Sequence, residues 1–127
     1  MATVVRMKRR AVCDISEVVA QLQADTDLNT YIFLTDIISG EQSALMLPNN
    51  IGALLCYEKY YVRANGLVSL TILIKQEGEE QKATIISFMD HVVFFFSAEK
   101  SFSKMAISAL KKLGFEQYEK LDSSLMY

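Results

Sequence analysis

The stretch ALLCYEKYYVRANGLVSLTILIK, residues 53–75, decides the fold. Two β-branched and aromatic segments flank Ala64-Asn65-Gly66, a hairpin turn signal. A three-residue loop pairs Val62 with Val68, Tyr60 with Leu70, Glu58 with Ile72 and Cys56 with Ile74. A two-residue loop mixes inner and outer residues, and a one-residue slip flips every side chain to the other face. The first register is therefore the expected one. It points even-numbered residues of both strands inward and leaves Lys59, Arg63, Ser69, Thr71 and Lys75 to solvent.

Working outward, Lys82 to Met89 and Val92 to Ser97 read as a second hairpin around Asp90-His91, after the acidic turn Gln76 to Glu80. A helix follows, with Phe102, Met105, Ala106, Ala109, Leu110 and Leu113 on one face. Gly114 suits its C′ position, Lys111 and Lys112 suit its negative end, and Phe115 can pack back. Toward the N-terminus, Asp14 caps a helix with Ile15, Val18, Val19 and Leu22 on one face, ended by Asp25-Thr26-Asp27. Thr3 to Val12 and Tyr31 to Ile38 read as strands. Ser39 to Gln42 reads as a turn, Ser43 to Leu47 as a short strand or an irregular loop, and Gly40 to Asn50, which holds Pro48, as the least ordered internal segment. Glu116 to Tyr127 is amphipathic enough for a short extra helix, or a tail that frays.

Strands in succession with helices toward the two ends give an α+β class. The expected architecture is one curved antiparallel sheet of five to six strands, with two main helices on one face. The 127 residues fit one domain, residues 1–127. With 51% hydrophobic residues there is ample apolar surface for a core.

The net charge of −2 makes general polyanion binding improbable. Cys13 and Cys56 form no CxxC pair and read as free, buried thiols of a reducing cytosol. No signal peptide is visible and no stretch approaches 18 apolar residues, so the expectation is a soluble cytoplasmic protein without membrane insertion. Five scattered glycines form no phosphate-cradling motif. His91, the single histidine, has no clustered co-ligands, so neither metal nor cofactor is expected.

In the expected register Glu58 lies among apolar side chains, where a carboxylate is costly unless paired or protonated. With Tyr60 on the same face, it suggests polar contacts in an apolar groove between sheet and helix, lined by Ile72, Phe102 and Met105. The plainer alternative is a carboxylate satisfied by a hydroxyl, a lysine or the sheet rim. Tyr57 and Tyr61 then share the outer side with Lys59 and Arg63, a candidate interface for dimerisation. The leading expectation is a non-enzymatic binding or interaction module, holding a small apolar ligand and forming a homodimer. A competing reading is an enzyme using the Glu58/Tyr60 pair for proton transfer. A third is a nucleic-acid binder using Arg6, Lys8, Arg9 and Arg10, although charges there also suit an edge strand that deters aggregation.

The run Cys56 to Tyr61, with Asn65-Gly66 and Val68 to Ile72, resembles the central hairpin of a family of small uncharacterised bacterial proteins. That resemblance implies two further apolar strands and a C-terminal helix, and carries no activity. The element order is similar to TATA-binding-protein-like and helix-grip arrangements, the latter including START-like lipid-transfer domains. This chain is shorter, and its last helix has barely three turns, which leaves little room for a large cavity.

Overall fold

The computed structural model describes residues 2–25, 28, 37–48, 51–61, 66–89 and 98–122. The elements run β1 (Ala2–Arg10), α1 (Ile15–Ala24), β2 (Ile37–Met46), β3 (Gly52–Tyr61), β4 (Gly66–Glu77), β5 (Glu80–Met89), α2 (Ala98–Lys112) and β6 (Glu116–Asp122). The six strands form one open antiparallel sheet in the order β2-β3-β4-β5-β1-β6. The class is α+β, as the order of elements implied, with both helices on one face of the sheet.

Alternation along the strands builds the core. Val5 and Met7 of β1, Ala53, Leu55 and Tyr57 of β3, Val68, Leu70, Ile72 and Ile74 of β4, and Ala83 and Ile85 of β5 point to the helices. Helix α1 lies over β3 and β4 and buries Ile15, Val18, Val19 and Leu22. Helix α2 lies mainly over β5 and β4 and buries Ala106, Ala109 and Leu110. Burial of this shared face, rather than intrinsic propensity, holds a ten-residue helix such as α1 in place.

Local signals set the helix ends. The Asp14 side chain accepts a hydrogen bond from the Ser16 amide at 3.1 Å, capping α1. Past the C-terminus of α2, the Phe115 amide donates to the Leu110 carbonyl at 3.1 Å and the Gly114 amide to Lys111 at 3.0 Å. That is a Schellman motif, with Gly114 at φ +94° and Phe115 folded back into the core. The β4–β5 hairpin turns through Gly78-Glu79, and Gly78 supplies φ +60°.

Three expectations are corrected. The β3–β4 register pairs Tyr61 with Gly66, Glu58 with Ser69, Tyr57 with Leu70 and Leu55 with Ile72. Four residues, 62–65, separate the paired ends, so odd-numbered β3 residues face the core instead of even ones. Residues Ser39 to Gln42, read as a turn, belong to β2 and pair with β3 from Tyr60 to Tyr57, and the short strand expected as one alternative from Ser43 is its continuation, pairing from Cys56 to Ala53. Residues Glu116 to Asp122, read as a helix or tail, form β6 and pair with β1, so β1 is an interior strand rather than an edge. The expected hairpin at Asp90-His91, with the strand Val92 to Ser97, lies outside the described residues.

Candidate functional site: the helix-free face and the β2 edge

In this register Glu58 and Ile72 stand on opposite faces of the sheet, so these two do not line one groove. Ile72 is fully buried, and Met105 of α2 is half-buried against the same core. Glu58 is exposed and stands on the opposite face of β3, between the core residue Tyr57 and the backbone of Lys59. Tyr57 is only 2% exposed, which removes it from a surface interface. The side chains of Tyr60, Tyr61 and Phe102 lie outside the described residues. Cys13 and Cys56 are free thiols, but each is half-buried rather than buried.

The basic residues of β1 divide between the two faces. Arg6 and Arg10 face outward and pair with Glu119 at 2.9 Å and Glu79 at 2.6 Å. Arg9 turns inward to the end of the core. Its Nε donates to Gln81 Oε1 at 2.7 Å, one terminal nitrogen to the Leu113 carbonyl, and the other to Cys13 Sγ at 3.0 Å. Its guanidinium also covers the Phe115 ring at 4.9 Å. Gln81, fully buried, donates in turn to the Cys13 carbonyl at 2.9 Å and to Gln76 Oε1 at 3.0 Å. This network joins β1, β4, β5 and the end of α2, and it satisfies polar groups that would otherwise be desolvated without partners. Sequence spacing could not find it, because its members are about 70 to 100 residues apart in the chain.

The two outer strands contrast in chemistry. Strand β6, sequence EQYEKLD, carries four charged residues, the kind of edge that resists pairing with another chain. Strand β2, sequence IISGEQSALM, spans ten residues with a single carboxylate, no basic residue and no proline. Its last four residues, Ser43 to Met46, are exposed on both faces of the strand, with Leu45 60% and Met46 36% accessible. Among the described residues the helices lie over β3, β4, β5 and β1, and α2 also reaches β6.

The face of the sheet opposite α1 and α2 has a basic region toward the β4–β5 turn. Lys8, Lys82 and Lys75 occupy one lateral row across β1, β5 and β4. Glu77 contacts Lys82 at 2.9 Å. The hydrogen bond and charge of that contact hold the Glu77 carboxyl below its ordinary range and raise the Lys82 ammonium above its own. Lys8 sits over the Tyr118 ring at 5.2 Å. Among the described residues, no three His, Cys, Asp or Glu side chains group as metal ligands. No described helix is long and apolar enough to cross a membrane.

Comparison of the chain with protein-family models, with curated proteins and with solved structures gave no match. The geometry above therefore carries the functional reading by itself.

Proposed function

We propose that this chain is a non-enzymatic interaction module that associates with a second copy of itself through the β2 edge. The carrying observation is the contrast between the two outer strands. One is charged, while the other is long, nearly uncharged and exposed on both faces at Leu45 and Met46. An outer strand leaves alternate amides and carbonyls without sheet partners, and an antiparallel copy of the same strand satisfies them around a two-fold axis. Two six-stranded sheets then become one continuous sheet.

The scale of the interaction follows from elementary terms. Pairing two ten-residue strands forms on the order of eight main-chain hydrogen bonds, each worth about 1 kcal/mol net. Burying Leu45 and Met46 against the partner adds about 2–4 kcal/mol. Lost rigid-body freedom offsets at least ~4 kcal/mol. With this smallest offset the balance gives dissociation on the order of micromolar to tens of micromolar, and a larger offset weakens it.

Sedimentation equilibrium tests the reading. Wild-type protein should shift from 14.4 kDa toward twice that mass as its concentration rises. The double variant Leu45→Lys, Met46→Lys should stay monomeric and, at concentrations below the wild type's association range, keep the wild-type thermal midpoint, because both side chains already face solvent. Mass that stays at one chain at every concentration, or a variant that dimerises as the wild type does, would remove the proposal.

A further inference from the structure

The lysine row on the face opposite α1 and α2 is independent of the β2 edge and implies a ligand of its own. We infer that it binds the phosphate group of a small, soluble phosphate monoester. Lys8 pairs in register with Lys82, and Lys82 with Lys75. Three ammonium side chains therefore project from positions directly opposite one another on neighbouring strands, across about 10 Å. Like charges so placed repel one another and are unfavourable within a sheet. Among the described residues one carboxylate makes an ion pair with the row, Glu77 on Lys82, and Glu116 stands opposite Lys8 in register. Among the described residues, Lys75 and Lys8 make no ion pair.

Beside the row lies a shallow depression of about 240 Å³. Lys75, Lys82, Arg6, Glu77 and Tyr118 surround it, over Leu73 and Thr84. Leu73, Thr84 and Arg6 form the next lateral row of the sheet, so the backbone itself places them there. Of the three lining cations, Arg6 is held by Glu119 and Lys82 by Glu77, which leaves Lys75 without an ion pair among the described residues. The Lys75 ammonium, the remaining N–H donors of Lys82 and Arg6, and the Thr84 hydroxyl border the depression as donors for one compact anion. Glu77, Glu80, Glu116 and Glu119 fringe the row by register or contact and oppose a long polyanion. A single phosphate group on a small body fits this charge pattern, whereas a nucleic-acid backbone would run into carboxylates on leaving it.

The test uses the full chain and amide chemical-shift titration. Glycerol 3-phosphate is compared with sodium chloride at matched ionic strength, and with phosphatidylcholine vesicles containing phosphatidic acid. The expected result is a saturable shift at Lys75, Lys82 and Thr84 with glycerol 3-phosphate alone. Lys75→Gln and Lys82→Gln each weaken the binding roughly tenfold, as loss of one charge-assisted donor does. Lys111→Gln, exposed at the far end of α2, leaves it unchanged. Affinity falls as salt is raised, because the site is open to solvent. No saturable shift, equal weakening by Lys111→Gln, or binding to vesicles without binding to glycerol 3-phosphate would each overturn the assignment.

Discussion

Replacing Gly52 with alanine should destabilise the protein, although glycine to alanine in a strand usually does the reverse. An added Cβ at Gly52 lands 2.5 Å from the Ile74 carbonyl oxygen and 3.0 Å from Leu47 Cδ1. The Leu47 side chain can move aside. The carbonyl belongs to β4, in the middle of the sheet, and has little freedom to do so. The backbone around Gly52 is held as well: its carbonyl accepts from the Leu47 amide at 2.9 Å, and the Ile51 carbonyl accepts from the Gln76 amide at 2.9 Å. Overpacking of this kind costs about 1–3 kcal/mol. Reduced freedom of the unfolded chain returns about 0.4–1 kcal/mol. The net loss is about 1–2 kcal/mol, or a fall of roughly 3–8 °C in the thermal midpoint for a chain of this size. Urea denaturation reads it as a lower midpoint with an unchanged slope. Adding Leu47→Ala should not rescue the variant, since the carbonyl contact remains. A Gly52→Ala protein at least as stable as wild type would refute both the β3–β4 register at this end and the contact drawn from it.

Other perturbations separate the remaining interactions. Arg9→Met keeps the aliphatic stem but strips donors from Gln81, the Leu113 carbonyl and Cys13, and should cost about 2–4 kcal/mol by chemical denaturation; a loss under about 0.5 kcal/mol would mean the network contributes little. Ser87→Ala should be neutral or stabilising by up to about 1 kcal/mol, because its buried hydroxyl has no hydrogen-bond partner among the described residues; marked destabilisation would reveal one. The Glu77–Lys82 pair should respond to pH at both extremes. Glu77 has a depressed folded pKa, so its contribution is present above the unfolded carboxylate value and fades as pH falls through the lower folded one. Lys82 has a raised folded pKa, so its share holds below the unfolded lysine value and fades as pH rises through the higher folded one. Carboxyl-carbon NMR should show Glu77 titrating below a reference glutamate, and Lys82→Gln should abolish the difference. Both groups are solvent-exposed, so the effect on the melting temperature should be small.

The parts of the fold legible in the sequence were those encoded locally. Asp14 with its i, i+3, i+4 stripe marks α1, and Gly114 followed by Phe115 closes α2, because capping and helical periodicity act within a few residues. Strand register was not local in this sense. Strand β3 carries apolar side chains on both faces, with Ala53, Leu55 and Tyr57 inward and Leu54 and Cys56 half-buried outward. Its alternation therefore does not decide which parity faces the core, and the side-chain match that favours a three-residue loop selects the wrong one. That single choice placed Glu58 in a groove and Tyr57 on a surface, and both assignments inverted together.

Strand β6 was obscured for a different reason. Phe115, Tyr118 and Leu121 recur every three residues and imitate one face of a helix. A bulge between Arg6 and Met7 shifts the β1–β6 register near Tyr118, which breaks the strict alternation that would mark a strand. With β6 in the sheet, the charges of β1 lie on an interior strand and β2 is the outer strand at the other side. The lysine row had the same cause of invisibility. Lys8, Lys75 and Lys82 are unremarkable as isolated residues and become neighbours only once three strands are aligned.

Amide hydrogen exchange along β2, followed as a function of protein concentration, tests self-association most directly. Pairing with a second copy predicts that alternate amides in Ser43 to Met46 slow as concentration rises through the association range, while the charged β6 edge does not change. Exchange in β2 that is independent of concentration, or slowing confined to β6, would contradict it.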